Sequence, residues 1–301
     1  MSAGRSAVLT VAGHELRDAR RSRRALVLLL LYFAGAAAAT LLFVKVLREA
    51  ETQVARSLGL DATRRAGSVS ATLWKSRPLR DGLVRLAGDE ALAQYLLAIP
   101  PLALFYGWLS FTFAPLLVML LGSTRIAVEV WSGAARFALF RVSRLSWCLG
   151  KYLGQALQLL AALLLSAAGA WLIGWARLEA FEPLSAAVWV FVFAVKAWIY
   201  SLAFLGLALG LSQVCAGPNL AAALGFGVMI GMGVVNAVAG AQSGPGWRRL
   251  WEAARLLTPG GHKFDLWRGD LAHVLPAAVF CGALGLAYLA VGYARFARKD
   301  L

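Results

Sequence analysis

The sequence has 301 residues, 60% of them hydrophobic and 15% charged, against about 45–50% and about 25% in an average soluble domain. With a mean hydropathy of +0.69, this excludes a disordered chain, and the continuous apolar runs exclude the alternating strands of an outer-membrane barrel. The 30 basic and 15 acidic residues give a net charge of +15. They cluster at the ends of apolar runs, where they set topology and meet anionic headgroups, so the charge points to a membrane rather than to nucleic acid.

Residues 1–24 have two readings. Val8, Val11, Ala12 and Leu16 fall on one helical side, with Glu15, Arg17, Asp18 and Arg21 largely elsewhere, which describes an amphipathic helix on a membrane surface. The alternative is a basic tail that only fixes topology. The first uncharged run is Ala25–Val44, matching the roughly 20 apolar residues that a bilayer core demands. The run continues past Ala37–Ala39, which favours an uncleaved span over a signal peptide. Residues 45–90 form a mixed-charge external segment, with a short helix expected near Leu79–Leu86.

Further spans are expected near 97–123, 152–176, 186–212, 219–240 and 271–294. Pro100–Pro101 bends or opens the second, and the Gly217–Pro218–Asn219 turn separates the fourth from the fifth. In the fifth, Gly227 and Gly231 form a GxxxG of the kind that lets helices approach closely. Before the last span, Trp247, Leu250, Trp251, Ala254 and Leu257 share one side of a helix whose other side carries Arg248, Arg249, Glu252 and Arg255. This is an interfacial helix with tryptophans at headgroup depth, either a gate over the exit or an anchor for the last span. The fold expected is an all-α integral membrane protein of six transmembrane helices, with an N-terminal surface helix and a short external helix.

Five arginines, Arg17 to Arg24, precede the first span, while Lys45 and Arg48 follow it, which places the N-terminus in the cytoplasm. Six spans return the C-terminus, with Arg295, Arg298 and Lys299, to the same side. The loop after span two is also internal and carries Arg125, Arg136, Arg141, Arg144 and Lys151 against Glu129 alone.

The chain lacks a GxxxxGK[ST] phosphate loop, an HExxH, a GxSxG elbow and any His/Asp/Glu cluster with metal spacing, so neither ATP hydrolysis nor a metal centre is expected within it. Cys148, Cys215 and Cys281 form no CxxC and read as small packing residues. Lys196 lies about 15 Å down the fourth span by the helical rise, where a lysine costs about 2.5–3.5 kcal/mol to insert. It is either a polar lining for an anionic group or a snorkelling side chain; Tyr200, one turn on, extends either arrangement, and Asn236 is the polar residue of the fifth span.

Residues 125–154, RIAVEVWSGAARFALFRVSRLSWCLGKYLG, resemble the cytoplasmic loop of ABC-2 type transporter permeases, with Glu129, Gly133, Leu139, Val142–Ser143–Arg144 and Leu149–Gly150–Lys151 as the matching positions. Glu15–Leu26 is similar to the family's surface helix, and Thr258–Gly261 to its external re-entrant region. Departures are Val130, Trp131 and Ser132 before Gly133, Ala134 after it, and Arg141 where a proline is usual. The external segment resembles the subgroup of nitrous-oxide-reductase maturation and gliding-type permeases.

The resemblance implies a permease of a bacterial inner membrane that works as an exporter. It implies a second permease copy, the same or related, and two copies of a cytosolic ABC ATPase that binds ATP and Mg. The coupling element would be the loop with Arg125, Glu129, Gly133, Arg136, Phe140, Arg141, Arg144, Gly150 and Lys151. Phe137, Leu139 and Phe140 would supply its apolar contact, with Glu15, Arg17, Arg20 and Arg21 on the adjoining surface helix. A non-transporting membrane scaffold is the alternative.

Overall fold

The computed structural model describes residues 2–57, 84, 89–178, 181–241 and 245–299, except for the side chains of a few of them, 245–248 among these. The helix expected near Leu79–Leu86 therefore lies outside the described residues but for residue 84, as does the side chain of Trp247. In chain order the helices are α1 (Ser2–Arg21), α2 (Arg23–Ser57), α3 (Glu90–Leu97), α4 (Pro101–Gly122), α5 (Arg125–Trp131), α6 (Ala134–Leu139), α7 (Arg144–Arg177), α8 (Pro183–Val214), α9 (Pro218–Ala241), α10 (Pro245–Leu256), a 3-10 turn (Pro259–His262), α11 (Lys263–Trp267) and α12 (Leu271–Phe296).

Among the described residues six helical stretches are long and apolar enough to cross a membrane, in α2, α4–α5, α7, α8, α9 and α12. The chain is an all-α integral membrane protein. Several helices outlast their apolar runs. The first continues past Val44 to Ser57, and the 34 residues of α7 reach about 51 Å, well beyond a bilayer core of about 30 Å. Arg144 to Lys151 thus form two polar turns on the end of a membrane helix. Pro101 sits at the first position of α4, where a missing N–H costs nothing.

The packing divides into two compact units. One comprises residues 1–28, 113–161 and 198–301, the other residues 29–112 and 162–197. In the second unit Tyr106 donates to the Leu163 carbonyl at 2.7 Å and shares a hydrogen bond with Ser166 at 3.0 Å. Phe43 stacks on Phe105 with ring centroids 4.3 Å apart. Lys196 is buried here, its ammonium 5.8 Å from the centre of the Phe193 ring, a cation–π distance.

In the first unit α8 and α12 meet backbone to backbone. A side chain added at Gly210 would begin 2.5 Å from the Tyr288 carbonyl oxygen, and Gly206 lies against the Gly285 backbone. The close helix contact uses Gly206 and Gly210, also spaced as GxxxG. Among the described residues nothing lies within 4 Å of a side chain built at Gly227 or Gly231, so no described neighbour uses the fifth-span GxxxG. The difference arises because α9 is mostly exposed in its apolar part, whereas α8 is mostly buried. Cys148, Cys215 and Cys281 are buried free thiols.

Gly210→Val should therefore lower the midpoint of thermal unfolding in detergent by several degrees, since overpacking against backbone costs about 1–3 kcal/mol or more. Gly231→Ala should leave it unchanged or raise it slightly, through helix propensity. The opposite ranking would contradict the packing.

Candidate functional site

The polar end of α7 carries the densest charge cluster described. Lys151, 2% exposed, donates to Glu15 of α1 at 2.5 Å and to Glu129 of α5 at 2.6 Å. Arg125 donates to Glu15 at 3.2 Å and to Asp18 at 2.5 Å, and Gln158 donates to the Glu15 backbone carbonyl at 3.1 Å. Burial alone would push the Glu15 carboxyl up, but Lys151 and Arg125 outweigh it and hold Glu15 below the ordinary glutamate range. Two cations and three carboxylates, Glu15, Asp18 and Glu129, therefore join three helices.

The glycines beside Lys151 explain how α1 comes so close. A side chain at Gly150 would begin 2.5 Å from Cβ of Val11, and one at Gly154 would begin 2.7 Å from Cβ of Glu15. The buried side of α1 is Ala12, Glu15 and Ala19, spaced i, i+3 and i+7. This corrects the expected face: Glu15 points inward, because the partner helix brings a cation to meet it, while Leu16 is half-buried. Arg17, Arg20 and Arg21 are exposed.

The loop after the second span is folded rather than irregular. Its two short helices are fixed by interactions specific to this sequence. The N-terminal N–H groups of α5, on Ile126 and Ala127, both donate to the Ser212 hydroxyl, at 3.0 and 2.8 Å, so a serine of α8 caps a helix distant in sequence. Gly133 separates α5 from α6 with φ 76°, the left-handed conformation that favours glycine at a helix end. Ser143 accepts from the Ser146 N–H at 3.1 Å and so caps α7. Arg144 donates to the carbonyls of Phe296, Ala297 and Lys299 at 3.1, 2.8 and 2.9 Å, closing the C-terminus of α12. Lys299 in turn donates to the carbonyls of Gln213 and Val214, at 2.8 and 3.2 Å, at the end of α8.

The candidates from sequence thus divide by direction. Lys151 and Gly150 are buried, Arg125, Glu129 and Arg144 are engaged within the chain, and Gly133 shapes the turn. Arg136, Arg141, Phe137 and Phe140 face outward, Phe137 77% and Phe140 87% exposed, with Trp131 exposed beside them. The arrangement can present an aromatic and basic turn on a rigid base. Asp18, Gln158 and Ser212 belong to that base and were not anticipated; the two acidic residues, Glu15 and Asp18, on an otherwise basic helix were the available signal.

At the other candidates, Tyr200 is buried in the first unit, edge-on to Phe204 at 5.3 Å. Asn236 donates to Thr258 at 3.0 Å and abuts Gly260, so it ties α9 to the Thr258–Gly261 turn. In α10, Trp251 is half-buried and Leu250 exposed. Among the described residues no three His, Cys, Asp or Glu side chains are placed to hold a metal.

Removing Lys151 leaves Glu15 buried without its closest cation, which costs about 3–5 kcal/mol for a buried pair. Lys151→Ala should release α1, read as faster proteolysis between residues 2 and 24 in proteoliposomes. Glu15, being depressed, stabilises α1 docking fully above its ordinary value of 4.5, and that stability is lost as the pH falls through the lower folded value. Docking should therefore hold from pH 7 to pH 5 and fail in stronger acid, and in Lys151→Ala any residual acid step should move to higher pH. Equal proteolysis of the two proteins would contradict the geometry.

No curated protein matches the chain. A family model described as ABC-2 family transporter protein matches residues 9–301, which includes α1 from residue 9 on, the folded loop and all six apolar helices. The chain belongs to the ABC-2 transporter family and is a membrane component of transport.

Proposed function

We propose that this chain is the permease subunit of an ATP-driven exporter and that the α5–α6 loop is where a separate ATPase docks. The observation that carries the reading is the outward turn of Phe137 and Phe140, more than three-quarters exposed, flanked by Arg136 and Arg141. Exposed aromatics beside arginines are what interface hot spots are made from. They stand on a base whose two cations are both paired within it, so the turn can pass force to α1, α5 and α7 instead of yielding. A P-loop ATPase with an acidic-rimmed apolar cleft is the complementary partner, and it supplies ATP and Mg binding.

In this reading both termini and the loop are cytoplasmic, the membrane is a bacterial inner membrane, and the full transporter holds a second permease copy and two ATPase copies. Closure of the ATPase pair moves the loop, and the buried cluster carries that motion into α1 and α7 as one body. The base rests on Arg125, Glu129, Arg144, Gly150 and Lys151 as positioning residues, and Arg136, Phe137, Phe140 and Arg141 make the contact. Lys196 in the second unit, and Tyr200 and Asn236 in the first, are each taken by itself as a candidate pathway residue, and Trp247 and Trp251 as candidates on the external helix. The resemblance alone carries the direction of transport and the narrower subgroup.

The test is co-purification of tagged full-length chain from mild detergent, with ATP hydrolysis measured on the eluate. Wild type should bring down a P-loop ATPase, and Phe137→Asp with Phe140→Asp should lose it at least roughly 10-fold, as expected when two hot-spot aromatics are removed. Glu129→Ala with Gly133→Trp should also lose it, through the base. Wild type without any ATPase under gentle conditions would leave the membrane-scaffold reading instead.

A further inference from the structure

The end of α12 carries a cationic groove whose two arginines neither the packing nor the docking turn uses. It has a volume of about 530 Å3 and is lined by Val291, Ala294, Arg295, Arg298 and Lys299. Cations at a helix C-terminus ordinarily offset its exposed carbonyls. Here Arg144 already donates to those carbonyls, and Lys299 is spent on the end of α8. Arg295 and Arg298 are both exposed and make no ion pair among the described residues. Burial pushes the Lys299 ammonium below its ordinary range, outweighing the opposite effect of Cys215, and Arg295 adds a smaller push in the same direction.

An apolar, open ridge of α12 winds obliquely to this groove. Val279, Ala283, Ala287, Val291 and Arg295 follow one another four residues apart, and all five are exposed. Ala283 to Arg295 rises about 18 Å, slightly more than one leaflet of a core about 30 Å thick. An acyl chain can lie along this ridge while its phosphate reaches the two arginines, whose planar forks suit phosphate oxygens. Soluble phosphate would use the arginines but would leave the ridge bare.

We propose that the groove at Arg295 and Arg298 is a binding site for the phosphodiester of an anionic phospholipid, with one acyl chain along Val291 and Ala287. Lipid at this point would bear on the same α12 end that Arg144 ties to the base of the docking turn, so membrane composition would reach the ATPase-facing loop.

The experiment is native mass spectrometry of the full-length protein, titrated with phosphatidylglycerol, with phosphatidylcholine and with inorganic phosphate. Wild type should retain phosphatidylglycerol well above phosphatidylcholine. Arg295→Gln with Arg298→Gln should weaken that retention roughly 10- to 30-fold, the ordinary worth of two arginines at an anionic surface. Arg298→Lys should keep only part of it, the charge without the planar fork, and the charge-matched pair Arg48→Gln with Arg177→Gln should keep all of it. Four results would overturn the proposal: equal loss in the charge-matched pair, equal retention of the neutral lipid, displacement by millimolar phosphate, or a double variant that shifts the protein between one-chain and two-chain species. The last would make the groove an interface between copies. Both arginines are exposed, so unfolding is not the expected cause of a loss, and an unchanged elution profile checks it.

Discussion

Lys151 is a fully buried cation at the polar end of a membrane helix, and the base of the candidate site depends on how its charge is met. A buried ammonium without partners is not tolerated. Glu15 and Glu129 meet it from two different helices at hydrogen-bonding distance. Arg125 then balances the surplus negative charge on Glu15 and brings in Asp18. The result is a closed set of charges in which α1, α5 and α7 each supply a member. Such a set has few alternative arrangements, because removing Lys151 leaves both Glu129 and one side of Glu15 without a cation.

Around that centre, helix ends are closed by side chains from elsewhere in the chain. Ser212 of α8 serves the start of α5, Arg144 of α7 serves the end of α12, and Lys299 beyond α12 serves the end of α8. Each bond satisfies backbone groups that a helix cannot satisfy itself. Together they link the last turns of several membrane helices to the short helices of the loop. In the proposed reading, a displacement of the exposed Phe137–Phe140 turn is therefore shared by the elements behind it.

The six apolar helices were legible because a bilayer demands long apolar runs, and those runs are hard to mistake. The position of Glu15 was not, since helical-face reasoning turns every carboxylate outward unless a buried cation is known to face it. The glycines show the same limit of sequence pattern: Gly227–Gly231, Gly150–Gly154 and Gly206–Gly210 are all spaced as GxxxG, yet among the described residues only the latter two pairs meet a neighbour. Spacing gives the capacity for close approach, and the partner surface decides whether it is used. The Val142–Ser143–Arg144 stretch was visible as a motif, but its physical content, a helix cap followed by a clamp on α12, needed the fold. Lys196 stood out by composition alone, and burial against Phe193 shows it turned inward.

The central claim is that the buried charge cluster holds the exposed aromatic turn in place for an ATPase. The most direct measurement places a photoreactive phenylalanine analogue at position 137 and identifies the cross-linked product in membranes, with Lys151 intact and with Lys151→Ala. The account predicts an adduct with a P-loop ATPase in the first case and its loss in the second, while the chain remains membrane-inserted. An ATPase adduct of equal yield in both would show that the turn does not depend on the cluster, and an adduct with lipid alone would show that it is not a docking surface.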